Sequence, residues 1–128
     1  MIEWYWLILL MVFAHSIADY HLQGCLADLK QRDWWYSSIK YRHKYHLDYI
    51  PALLFHSLEW SVIVHIPLIW AYGFESTIFV LILFNMLIHA YVDNLKCNKG
   101  EINLVQDQFI HLVQICFSMM VVLLVGMI

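Results

Sequence analysis

His15 and Asp19 stand four residues apart in this chain, as do His89 and Asp93, and Asp107 and His111 repeat the spacing in reversed order. His56 stands alone between the first pair and the second. Residues at i and i+4 share one face of a helix, so each pair forms a two-toothed arm that can reach a common centre. Four imidazoles and three carboxylates match the ligand chemistry of one or two divalent metals: zinc foremost, then manganese, iron or cobalt. Helix bundles build metal centres of this kind from side chains on facing helices.

The elements that position these residues are strongly apolar. Of the 128 residues, 62% are hydrophobic and 13% charged, with a mean hydropathy of +0.65. A soluble domain carries roughly 25% charged residues, so the composition indicates an integral membrane protein. A span needs about 20 predominantly apolar residues, and four windows qualify: 4–22, 49–72, 74–95 and 102–128. The expected fold is therefore a single all-α domain, a four-transmembrane-helix bundle. Pro51 falls in the first turn of the second span, where its missing N–H costs little, and Pro67 is placed to bend that span near its far end. Gly73 marks a tight turn that folds the second and third spans into an antiparallel hairpin.

All seven Lys and Arg residues lie in two segments: Lys30, Arg32, Lys40, Arg42 and Lys44 between the first two spans, Lys96 and Lys99 between the last two. Four spans bring both segments out on one side, which the positive-inside rule makes cytoplasmic, with both termini outside. Residues 24–48 interleave their basic side chains with Trp34, Trp35, Tyr36, Tyr41 and Tyr45. This is the composition that the headgroup zone selects, so the segment reads as interfacial, a loop or a short helix lying on the membrane, with an ordinary solvated loop as the alternative. Glu3, Trp4, Tyr5 and Trp6 lack the positive start of a signal peptide, so the first span is read as retained. Cys25, Cys97 and Cys116 show no metal or disulfide spacing and read as free thiols. The formal charge of −3 and the lack of a basic stripe argue against a nucleic-acid partner.

With this topology the seven groups gather at one level. Counted from the basic ends at ~1.5 Å per residue, they lie on the order of 3 to 14 Å deep. Each Asp near the middle of a span costs about 2.5 to 3.5 kcal/mol on the insertion scale and less near its ends, so three must face the interior and be neutralised. A metal does both. Hydrated surface residues, or Asp–His hydrogen bonds that only lock the helices together, are the alternative.

Other polar residues have narrower roles. Glu59, one turn beyond His56, is a candidate general base beside Asp107. Gln23, Asn85, Asn94, Gln108 and Gln114 are candidates to orient a ligand through its other ring nitrogen. His65, about 13 Å along the helix from His56, reads as a packing histidine. His21, His43, His46, Asp28 and Asp48 belong to the basic end, with His46 and Asp48 near enough to cap the layer. No phosphate loop, nucleophile elbow or His-Glu-x-x-His motif is present.

In order, His15-x-x-x-Asp19 with Leu22-Gln23, the lone His56, His89-x-x-x-Asp93 and Asp107-Gln108-x-x-His111 resemble a family of small phage and bacterial membrane proteins, domain of unknown function 3307. They are similar, more distantly, to bacterial inner-membrane metal-dependent hydrolases. The resemblance runs along essentially the whole chain and implies four spans, a metal site and, for the distant relatives, hydrolysis, in a bacterial inner-membrane or phage-encoded protein. The 24–48 segment is longer than the family pattern. The expected function is a membrane-embedded metal-dependent hydrolase at the cytoplasmic leaflet, with the bilayer as partner and an anionic lipid or phosphate-containing amphiphile as substrate; Lys40, Arg42 and Lys44 would gather its headgroup. A metal or proton transporter, a non-catalytic protein with a structural polar layer, and a di-iron oxidoreductase are the alternatives. A homo-oligomer is compatible with each.

Overall fold

In a computed structural model describing residues 3–126, the chain is all-helical. Helix α1 (Trp4–Ile17) continues into a five-residue π-helical turn, Ala18–Leu22. Three short helices follow: α2 (Leu26–Leu29), α3 (Arg32–Ser37) and α4 (Ile39–Arg42). Helix α5 is Tyr49–Tyr72, and α6 is Ser76–Asn94 with a second π-helical turn, Leu95–Lys99; α7 is Leu104–Leu124. The four long elements are each long and apolar enough to cross a membrane. The protein is an integral membrane four-helix bundle.

The long helices close a ring: α1 packs on α5, α5 on α6, α6 on α7 and α7 on α1. Their outward faces are apolar, with Phe55, Val80, Phe109 and Leu124 all more than 60% exposed. Their inward faces carry His, Asp, Asn, Gln and Ser. Polar groups inside and apolar groups outside invert the soluble pattern, as the bilayer requires. Since lipid is as apolar as leucine, interhelical hydrogen bonds and packing hold such a bundle together. Ser61 Oγ donates to the Ile82 carbonyl at 2.7 Å and Asn85 Nδ2 to Ser118 Oγ at 2.9 Å, joining α5 to α6 and α6 to α7.

Local sequence explains where the helices turn. Gly73 has φ of 80°, which a side chain would strain, and its N–H caps the Ile69 carbonyl at 2.8 Å, so α5 and α6 form the expected hairpin. Pro51 sits in the first turn of α5, and Pro67 lies buried inside a helix that runs unbroken to Tyr72. Asn103 starts α7 with a capping box: its side chain accepts from Gln106 N–H at 2.9 Å, while Gln106 Oε1 accepts from Asn103 N–H at 3.0 Å. This sets the first turn of α7 and with it Asp107.

The bundle has two unlike ends. The basic end carries residues 23–48 and the α6–α7 loop; the hairpin end carries Gly73 and the outer turns of α1 and α7. Segment 24–48 folds as three short helices around an aromatic knot, with Trp34 and Trp35 centroids 4.9 Å apart and Tyr41 6.0 Å from each. Cys25, Cys97 and Cys116 are free thiols.

Candidate metal centre

Six of the seven residues singled out by spacing meet inside the basic half of the bundle. Three overlapping groups have ligand atoms mutually within 4.8 Å: Asp19, His56 and His89; His89, Asp93 and His111; and Asp19, Asp107 and His111. Asp19, His89 and His111 each belong to two groups, so the three form one continuous cluster fed by α1, α5, α6 and α7. All six are buried. Asp19 enters from the π-helical turn that ends α1, a local distortion common at functional positions.

His15 is buried beside them but is not a ligand in this arrangement. Trp60 Nε1 can only donate, and it lies 2.8 Å from His15 Nδ1, which must therefore be the unprotonated nitrogen. His15 Nε2 then carries the proton and donates to Gln108 Oε1 at 3.0 Å. Both ring nitrogens are thus occupied. The spacing reading of His15 as a metal ligand is corrected: it orients Gln108, whose Nε2 donates to Asp19 Oδ2 at 2.8 Å and Asp107 Oδ2 at 2.9 Å. One amide therefore fixes two carboxylates of the cluster.

His111 has the opposite character. Gln114 Nε2 donates to the Asn85 carbonyl at 3.1 Å and to Asn85 Oδ1 at 3.0 Å, which leaves Gln114 Oε1 to accept from His111 Nδ1 at 3.0 Å. With Nδ1 protonated, the His111 Nε2 lone pair faces the cluster, 3.3 Å from Asp107 Oδ1. This is how metal-ligating histidines are oriented. His111 Nε2, His89 Nδ1, Asp93 Oδ1 and Asp107 Oδ1 are buried and form no hydrogen bond within the protein. Buried acceptors without a donor are costly. The His111 Nε2 lone pair and Asp107 Oδ1, 3.3 Å apart, require a proton, a water or a metal ion between them, so this donor set fits a divalent ion.

Trp60 shapes the floor of the cluster. Its ring lies 4.2 Å from that of His89, which lies 4.2 Å from that of His111. It is four residues after His56 and therefore on the same helical face.

Two lysines complete the cluster, and spacing did not assign them to it. Lys30 Nζ lies 2.6 Å from Asp93 Oδ2, with the lysine side chain 6% exposed. Lys96 Nζ lies 2.5 Å from Asp107 Oδ2 and 3.5 Å from Asp93 Oδ1. His56 Nε2 adds contacts of 3.2 Å to Asp93 and 3.7 Å to Asp19. Lys96 carried a readable signal, since it follows Asp93 by three residues and shares its face. Lys30 carried none; it sits in an irregular segment and reaches the cluster only through the fold.

Glu59 is the second correction. It is half-buried in an apolar groove with Leu26, Phe55, Leu58, Val62 and Ile63, outside all three ligand groups. The i+3 step from His56 turned it away from the bundle axis, so it is not placed to serve as general base. His65 is buried and packed as expected, with Nδ1 donating to the Ser61 carbonyl at 2.7 Å and Nε2 3.2 Å from Ser118 Oγ. Asn94 Oδ1 accepts from Asn98 at 3.0 Å and Gln23 Nε2 donates to the Asp19 carbonyl at 2.5 Å, so both support the cluster's rim. Asp48 is exposed, and the His46 ring packs edge-on to Tyr36, away from the ligand groups.

Fold and site together define an integral membrane four-helix protein with a buried His/Asp cluster able to hold a metal ion. No family model, curated protein or solved structure matches the chain.

Proposed function

We propose that this protein is a membrane-embedded hydrolase dependent on one divalent metal ion, acting on an anionic amphiphile at the cytoplasmic leaflet. The observation that carries the reading is the meeting of His and Asp ligand atoms from four helices, in groups within 4.8 Å of one another, with His111 Nε2 and Asp107 Oδ1 left without a hydrogen-bond partner. Zinc suits the mixture of imidazole and carboxylate best. Charge favours one ion over two. Three carboxylates against the Lys96 ammonium leave two negative charges with the imidazoles neutral, which one divalent ion balances, and a second divalent ion would add like-charge repulsion of several kcal/mol at ~4 Å even with strong screening.

Asp19, Asp93, Asp107, His56, His89 and His111 would hold the ion. A bound divalent ion supplies Lewis acidity, which acidifies water and stabilises developing negative charge. Asp107, whose Oδ1 has no hydrogen-bond partner, is the group we assign to accept the proton of the attacking water. Gln108 holds the other oxygen of that carboxylate, His15 holds Gln108, and Trp60 holds His15. Lys96, half-buried where Lys30 is buried, lies on the side from which a headgroup would arrive and would bind its anionic group. The resemblance to the phage and bacterial family belongs to this proposal, as do the bacterial inner membrane, the outside termini and the lipid or phosphate-containing substrate.

Elemental analysis of detergent-purified protein tests the metal. The wild type should carry about one equivalent, and the His89→Ala/Asp93→Ala variant close to none; less than about half an equivalent in the wild type, purified without chelator, sinks the reading. Release of phosphate or lipid fragments from a panel of membrane substrates then tests hydrolysis. Metal-loaded protein that moves ions across liposomes without turnover would favour transport instead.

A further inference from the structure

Lys30 lies eight residues beyond the end of the first span, yet its ammonium is inserted into the acidic cluster. The insertion is fastened at a few points. Asn98 Nδ2 donates to the Lys30 carbonyl at 3.2 Å and to Asn94 Oδ1 at 3.0 Å, and Asn98 Oδ1 accepts from Arg32 N–H at 2.7 Å. Trp35 Nε1 donates to the Leu29 carbonyl at 2.8 Å. One asparagine in the π-helical turn after α6 thus clamps both sides of the Lys30 turn, and one indole steadies it. No other side chain contributes a hydrogen bond to the backbone of residues 29–32 among the described residues. Withdrawal of Lys30 breaks these side-chain hydrogen bonds and the ion pair with Asp93, but none of the hydrogen bonds that join the long helices.

The carboxylate that Lys30 engages is a ligand candidate. Asp93 Oδ2 has Lys30 Nζ at 2.6 Å and His56 Nε2 at 3.2 Å, while Asp93 groups with His89 and His111 as a set able to grip an ion. An ammonium on Asp93 Oδ2 and a divalent ion on the same carboxylate lie within a few ångströms of each other and repel. Both cannot be held tightly at Asp93.

We propose that Lys30 is a tethered competitor for the metal: its ammonium occupies the cation position beside Asp93, and a divalent ion binds there only as the α2–α3 segment draws it out. This inference rests on the metal reading of the cluster. It makes metal loading depend on a segment that carries Trp34 and Tyr36 and runs on into Ile39, Lys40, Arg42 and Lys44, all exposed.

Zinc binding to the full-length, metal-stripped protein in detergent, measured by titration against a competing chelator, tests the inference. Lys30→Met should tighten zinc binding by at least about tenfold, because it removes a positive charge next to the ion. Lys30→Arg keeps the charge and should bind zinc as the wild type does. Asn98→Ala keeps Lys30 but loosens its clamp, so it should also tighten binding, by about threefold; it serves equally if Lys30→Met does not fold. Zinc bound by the wild type with no tightening in Asn98→Ala, or weaker binding in Lys30→Met, would overturn the competitor while leaving the metal site standing. No zinc bound by any variant would overturn both.

Discussion

The basic half and the hairpin half of the bundle are built by the same four helices on opposite plans. Near the hairpin end each helix gives one fully buried apolar side chain: Leu7, Leu68, Ile78 and Val122, each within four residues of its helix terminus. They belong to one apolar cluster with Met11, Val64 and Met119. In the basic half the same helices give Asp19, His56, His89 and Asp93, and Asp107 and His111, held by Gln108, Gln114 and two lysines. Between the halves, Gln114, Asn85, Ser118 and His65 form a hydrogen-bonded chain that ends under the apolar layer. The apolar half draws its stability mainly from packing; the polar half is stable only if its charges are partnered. This contrast bears on the transport alternative, because the polar chain stops short of the hairpin end and the four apolar residues close the axis there.

The largest expected difference lies in how each half responds to truncation. Asp93→Ala strands Lys30 and weakens the hold on Lys96, and removing one partner of a buried ion pair costs about 3–5 kcal/mol. Thermal unfolding in detergent should show this, with metal content falling to background. Leu68→Ala opens a cavity costing about 2–4 kcal/mol but should keep the full metal equivalent. If Leu68→Ala also lost the metal, the halves would be one cooperative unit and the contrast would fail.

A smaller effect separates the two histidines that face each other across the cluster. Gln114→Leu removes the acceptor that keeps the His111 proton on Nδ1, so zinc affinity should fall about 10–100-fold. Trp60→Phe removes the donor to His15 and keeps most of the ring, so unfolding should cost about 1 kcal/mol and zinc affinity should change less than in Gln114→Leu. Equal losses of affinity would mean that His15 ligates after all. Nitrogen chemical shifts of the His15 ring read its tautomer directly.

What was legible in the chain follows from this division of labour. Spans of apolar residues declare themselves, because length and hydropathy are properties of consecutive residues. The first two spans agree with the structure end to end; the third, expected at 74–95, is Ser76–Lys99, and the fourth, expected at 102–128, is Leu104–Leu124, with residues 127–128 lying outside the described ones. The i, i+4 arms were equally visible, since periodicity encodes a face. Periodicity does not say how many lone pairs remain free. His15 lies on the right face and is consumed by Trp60, whose own position, four residues after His56, was the signal that it points inward. Lys30 could not be read at all, because a long side chain in an irregular segment obeys no spacing. The π-helical turns at Ala18–Leu22 and Leu95–Lys99 were also hidden, although they deliver Asp19 and Lys96.

The smallest expected effects form a matched pair, one at each end of the bundle. Gly73→Ala places a side chain at φ of 80° in the α5–α6 turn and should cost about 1 kcal/mol of stability. Asn103→Ala removes the capping box of α7 and should cost about the same. Stability alone would not tell them apart. Asp107 stands one turn after that cap, however, and its carboxylate is held by Lys96 and Gln108 in a geometry that fraying of the first turn would loosen. Zinc affinity should therefore fall several-fold in Asn103→Ala and stay at the wild-type value in Gly73→Ala. Equal affinities in the two variants would mean that the cluster tolerates motion of α7, and that the start of this helix is not what positions Asp107.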